Sequence, residues 1–162
     1  MESNKELFKL ANNTVSFIAE NFLGFKADDG QVIDKVALLL IKRDSDNRAT
    51  QTLRYYIDVP AAKVLCHDLW VGALHQEYSE FKKRGNTQRA LRIEPLDESG
   101  AYRIGIMNQA SQDTEQERLF FDLNRFNSRA FARTVLDFLT YEQMTKQLAE
   151  AITEGGDNEI RI

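Results

Sequence analysis

The chain has 162 residues, of which 43% are hydrophobic and 28% charged, and its formal net charge is −4. That size and balance give about one domain with a real core, and exclude both a disordered chain and a uniformly basic nucleic-acid glue. The longest apolar run, Val36 to Ile41, is too short to span a bilayer; with a charged start and a single cysteine, Cys66, this points to a soluble protein of the reducing cytoplasm.

In chain order, Ser3-Asn4-Lys5-Glu6 has the spacing of a capping box. Leu7, Phe8, Ala11, Val15, Ile18 and Phe22 follow at helical intervals, which predicts a helix from about Asn4 to Asn21, ended near Gly24. Asp28 and Asp29 offer two carboxylates to a metal, but no third acidic ligand is fixed nearby and a solvated turn is expected. Val36 to Ile41 is apolar on both parities, as in a strand covered on both faces or a helical segment. The polar tract Asp44–Arg48 reads as a hairpin loop. Leu53, Tyr55, Ile57 and Val59 then alternate with Thr52, Arg54, Tyr56 and Asp58, a half-buried strand.

Pro60 suits the first turn of a helix, along which Val64, Leu65, Leu69, Trp70, Leu74, Tyr78 and Phe81 can share one stripe, with Gly72 as a possible break. Cys66, His67 and His75 fall on this stretch. They lack the ligand number and spacing of a zinc site, so a buried thiol beside two partly exposed imidazoles is expected, with no metal and no cofactor. Lys82, Lys83, Arg84 and Arg89 form the strongest basic cluster. It reads either as a helix end capped at Gly85 or as a phosphate-contacting loop beside a sheet.

Arg89 to Pro95 and Ala101 to Met107 alternate around a Gly100 turn, as a β-hairpin does. Arg118 to Leu123 is a third run, and a long amphipathic helix follows, with a core stripe of Phe131, Val135, Phe138 and Leu139 continued by Tyr141, Met144, Leu148 and Ile152. Residues 1–153 are expected to form a single α+β domain and 154–162 a flexible tail. The segment Leu53–Val59 plus helix echoes Arg118–Leu123 plus helix. Two strand-strand-helix units, the second with an added strand, forming one antiparallel sheet with helices on one face, would account for the echo.

If helices cover the face bearing Leu53, Tyr55, Ile57, Leu91, Ile93, Ile104, Ile106, Leu119 and Phe121, the opposite face shows Arg54, Tyr56, Arg92, Arg103, Arg118 and Phe120. Arginines neutralise phosphates and rings stack on unpaired bases, a combination suited to single strands. The succession Arg89–Glu94, Ala101–Ile106 and Leu119–Leu123, then a helix containing Ala132–Leu139, resembles the strand-strand-strand-helix units of the single-stranded-DNA-binding proteins grouped around whirly, the purine-rich-element-binding proteins and positive cofactor four. The resemblance implies curved antiparallel sheets, often paired across a dimer or higher homo-oligomer, that grip single-stranded DNA or RNA without catalysis. It places Arg92, Tyr102 and Arg103 on or beside the binding sheet. The chain departs from that pattern in its acidic balance, its expected N-terminal helix and its lack of whirly's lysine-rich signature. The rival reading is an adaptor or small subunit whose arginines and aromatics form a protein interface. No Gly-rich phosphate loop, metal-ligand array or nucleophile with a placed base supports an enzyme.

Overall fold

The structure, a computed structural model, describes residues 5–160, with side chains as far as Glu154. The capping-box reading begins at Ser3, outside the described residues, and the 154–162 tail falls almost wholly past the last described side chain. Asn12 decides how the chain begins. Its Oδ1 accepts from the backbone N–H of Thr14 at 2.9 Å and of Val15 at 2.7 Å, a local turn that competes with helix. The segment expected as an N-terminal helix is therefore two antiparallel strands, β1 (Glu6–Ala11) and β2 (Val15–Lys26). The helical spacing of Leu7 to Phe22 was coincidental; Val15, Phe17 and Ala19, all buried, carry the true period of two.

β3 (Val32–Arg43) and β4 (Ala49–Asp58) complete a four-stranded antiparallel sheet in the order β1-β2-β3-β4. Val36 to Leu40 are buried on both parities, as the unbroken apolar run implies. Asp44–Arg48 is the hairpin loop, tied by Asp44 Oδ1, which accepts from the N–H groups of Asp46 and Arg48. α1 (Val59–Val71) carries Pro60 in its first turn and stops at Gly72, whose φ of 73° closes the C-terminus. It buries Ala62, Leu65, Cys66 and Leu69, one helical face. Val64 and Trp70 are exposed, and Tyr78 and Phe81 lie on the next strand rather than on the helix.

The second half repeats the first. β5 (Tyr78–Arg84), β6 (Thr87–Pro95), β7 (Tyr102–Gln109) and β8 (Glu117–Leu123) form a second antiparallel sheet in sequence order, followed by α2 (Arg125–Ile160). The echo seen in the sequence is thus architectural: β4 leads into α1 as β8 leads into α2. Each unit holds four strands, rather than two in the first and three in the second, and the units make two sheets rather than one. The class is α+β, with the long C-terminal helix in place.

The sheets meet through their apolar faces. All nine residues expected on the core face are buried, each such side chain stabilising by roughly 1.5–3 kcal/mol. Phe17, fully buried, joins the layers: its ring lies 6.0 Å from Phe121 of the second sheet and 5.1 Å from Phe131 of α2. Among the described residues, no helix is long and apolar enough to cross a membrane, and no cluster of three or more acidic, histidine or cysteine side chains is placed to hold a metal.

Candidate nucleic-acid interface

The β5–β6 hairpin builds the first part of the site. Arg84 pairs with Thr87 across a two-residue turn led by Gly85, at φ 61°, a geometry that matches strand twist. The basic cluster is therefore a hairpin tip and not a helix end. Alternation sends Lys82, Arg84 and Arg89 toward the first sheet and Lys83 to the opposite face. On the first sheet, Phe22 pairs with Lys35 and Lys35 with Asp58 in the cross-strand register, while Tyr56 sits one row along, opposite Ala37.

Between these two walls lies a groove of about 540 Å³, lined by Phe22, Ile33, Lys35, Tyr56, Lys82, Arg84 and Arg89 among others. Its aromatic wall is continuous. The Phe22 ring lies 4.8 Å from Tyr56 and stacks at 4.6 Å on Phe25, itself 47% exposed. Three cations, Lys82, Arg84 and Arg89, face that wall, and a fourth, Lys35, stands within it. Lys35 pairs with Asp58 at 2.9 Å, and Lys82 donates to the Tyr56 carbonyl at 2.5 Å. Arg84 and Arg89 make no ion pair with any described residue. Burial first, and then the charge of Lys35, lowers the Lys82 ammonium below its usual range; an anion entering here would relieve crowded positive charge.

Behind the groove, the Tyr55 hydroxyl donates to Glu80 at 2.9 Å and the Tyr78 hydroxyl donates to the other oxygen of the same carboxylate. Burial, and after it the bond to Glu80, raises both phenols, so they stay protonated as donors. This cluster clamps β4 to β5.

The remaining expected residues occupy the outer face of the second sheet. The register aligns Ser79, Arg92, Gly105 and Phe120 in one row, with Phe81, Ala90, Met107 and Arg118 in the next. Arg103 and Asp122 face each other one row beyond. Arg103 grips Asp122 through two hydrogen bonds of 2.7 and 3.0 Å and lies 5.7 Å from the Phe120 ring. That bond holds the Asp122 carboxyl below its ordinary range. Arg92 pairs with Glu77, and Arg118 donates to the neutral Gln116 side chain at 2.6 Å.

Two expectations are corrected. Arg54 and Tyr56 stand on the first sheet and Arg92, Arg103, Arg118 and Phe120 on the second, so they do not share one sheet face; α1 intervenes and β5 starts a new ladder. Tyr102 points inward. It is 3% exposed, and its hydroxyl donates to the Leu74 carbonyl at 3.0 Å, because it alternates with Arg103 on β7. Phe22 and Lys35 are groove residues that sequence reasoning missed, and Phe25 stacks on Phe22 beside them. The Asn12-Asn13-Thr14 turn, had it been taken as a strand boundary, would have put Phe22 in a strand. Cys66 is buried, its thiol pushed up to about 12 by burial, and His67 and His75 are exposed.

Two four-stranded antiparallel sheets, each followed by a helix and packed face to face, define the fold of the whirly proteins. The solved structures that share it include WHY3 from Arabidopsis thaliana (TM-score 0.72, 9% identity, covering 96% of this chain and 98% of that one) and WHY1 from the same plant (0.71, 10%, 96% and 95%). The plant transcriptional regulator PBF-2 is also similar (0.68, 10%, 90% and 86%). No family model and no curated protein matches the chain.

Proposed function

We propose that the protein binds single-stranded nucleic acid, DNA in the first instance, as a non-catalytic binding protein of the cytoplasm. The observation that carries this reading is the groove: the tilted rings Phe22 and Tyr56, with Phe25 stacked on Phe22 just outside the lining, opposite Lys82, Arg84 and Arg89, the two arginines having no carboxylate partner among the described residues. Each ring offers a platform worth about 1–3 kcal/mol per stacked base, and the arginines neutralise the backbone between bases. A duplex hides its base faces and gains only the second term. The likeness in fold to WHY1, WHY3 and a plant transcriptional regulator supports a nucleic-acid role. Arg54, Lys83, Arg92, Arg103, Arg118 and Phe120 extend the basic and aromatic surface beyond the groove.

Self-association belongs to the same proposal. Tyr141, Met144, Leu148 and Ile152 form an exposed row on α2, and between Tyr141 and Ile152 no charged residue falls within a quarter turn of its axis. A second copy of α2 can cover that row without burying a charge, which would bring two grooves onto one particle.

The test is fluorescence anisotropy with labelled oligo-dT and a duplex of equal length. Tight, salt-weakened binding of the single strand, reduced at least tenfold in a Phe22→Ala/Tyr56→Ala variant, is expected. Equal affinity for the duplex, or no loss in the variant, would overturn it.

A further inference from the structure

The outer face of the second sheet carries a hollow of about 170 Å³ on the far side of the β5–β6 hairpin from the groove. Its origin is local. In the two aligned rows, Gly105 and Ala90 are diagonal neighbours with almost no side chain between them, so the middle of the face sinks to the backbone. The wall on the β8 side is Phe120, 47% exposed, whose ring lies so close over Gly105 that a Cβ there would meet it at 3.1 Å. Met107, Ser79 and Arg92 close two further sides, and Arg118 stands at the rim, donating to the neutral Gln116 and making no ion pair with any described residue. Arg92 is held by Glu77 and serves as wall.

An apolar floor, one phenyl wall and one cation at the rim suit a flat ring attached to an anionic backbone. The hairpin also supplies a route. Lys82, Arg84 and Arg89 face the groove, while Lys83 and Phe81, the latter 58% exposed, lie on the other side of the same edge strand, next to Ser79 and Ala90. A strand leaving the groove over β5 meets Lys83, then Phe81, then the hollow.

We propose that the hollow is a base-accepting subsite: one unstacked nucleobase of the bound strand seats against Phe120 above Ala90, and Arg118 engages an adjoining phosphate. This rests on the single-strand reading above. The base inserted here is set apart from those stacked in the groove, so its loss is felt at one position of the oligonucleotide only.

The experiment walks a single abasic site along an oligo-dT bound to the wild-type chain, then to Ala90→Leu, which fills the hollow from its floor, and to Phe22→Ala, which strips the groove. The wild type is expected to show about tenfold weakening at one position outside the groove set. Ala90→Leu should bind the intact oligonucleotide about tenfold more weakly and lose the penalty at that position alone. Phe22→Ala should keep it. Circular dichroism checks that Ala90→Leu folds; if it does not, Phe120→Ala, which removes the wall from an exposed position, takes its place with the same expected result. Abasic penalties that all vanish in Phe22→Ala and all persist in Ala90→Leu would overturn the subsite while leaving the groove intact. A wild type that binds no oligonucleotide at low salt would overturn both.

Discussion

The arginines of the two surfaces differ in one respect that salt can read. Arg84 and Arg89 have no carboxylate partner among the described residues, whereas Arg103 is doubly bonded to Asp122 and Arg92 is paired with Glu77. A phosphate contacting the first pair adds a new interaction and releases counterions from the strand. One contacting the second pair must compete with a resident carboxylate. For single strands, each phosphate neutralised contributes about 0.7 to the slope of log affinity against log salt. Arg84→Ala/Arg89→Ala is therefore expected to flatten that slope by about 1.4, so the affinity lost between 50 and 200 mM salt shrinks by about sevenfold. Arg92→Ala/Arg103→Ala should change the slope by less than half as much. The assay is a set of anisotropy titrations with oligo-dT at four or more salt concentrations, with melting curves run alongside. Equal flattening in the two variants, or a larger effect from the second, would refute the assignment of the groove as the principal phosphate track.

Three further outcomes follow from the fold. Phe17→Ala should destabilise by about 3–5 kcal/mol in urea titration, a large share of typical domain stability, because the ring contacts Phe8, Phe121 and Phe131 together; a loss under about 1 kcal/mol would contradict its role as the joint. Asp122 is lowered by Arg103, so its ion pair stabilises above the unfolded carboxyl pKa of about 4 and is lost as pH falls through the folded value. Asp122→Asn should cost under about 1 kcal/mol at pH 7, the pair being half exposed, and less as pH falls below the unfolded carboxyl range, as urea titrations across that range will show. Leu148→Asp should shift the chain to a smaller particle in light scattering without lowering its melting temperature, and an unchanged mass would count against pairing through α2.

Much of this fold was legible because it is written in short-range alternation. Leu53-Tyr55-Ile57 and Ile104-Ile106 each declare their buried face within a few residues, and Phe131-Val135-Leu139 does so for α2. What local pattern does not carry is which ladder a strand joins. Arg54 and Arg92 look alike in sequence, and only the pairing of β4 with β3 and of β6 with β5 and β7 assigns them to different sheets. The N-terminal error has the same origin in reverse. Six residues between Leu7 and Phe22 satisfy a helical period by chance, and the side chain of Asn12 settles the matter through two hydrogen bonds that composition does not reveal. The groove was half visible for that reason. Three of its cations, Lys82, Arg84 and Arg89, lay in one conspicuous cluster, while its ring Phe22 was hidden on the stripe of a misassigned element.

No backbone ladder connects the two sheets among the described residues. At the groove, β4 and β5 are fastened by the Glu80 carboxylate shared between Tyr55 and Tyr78 and by the Lys82 ammonium on the Tyr56 carbonyl. A slot laced by side chains adjusts its breadth through rotamers, without breaking a strand. Purines and pyrimidines differ in breadth, and on the proposed single-strand reading a slot joined by side chains is one that either could enter.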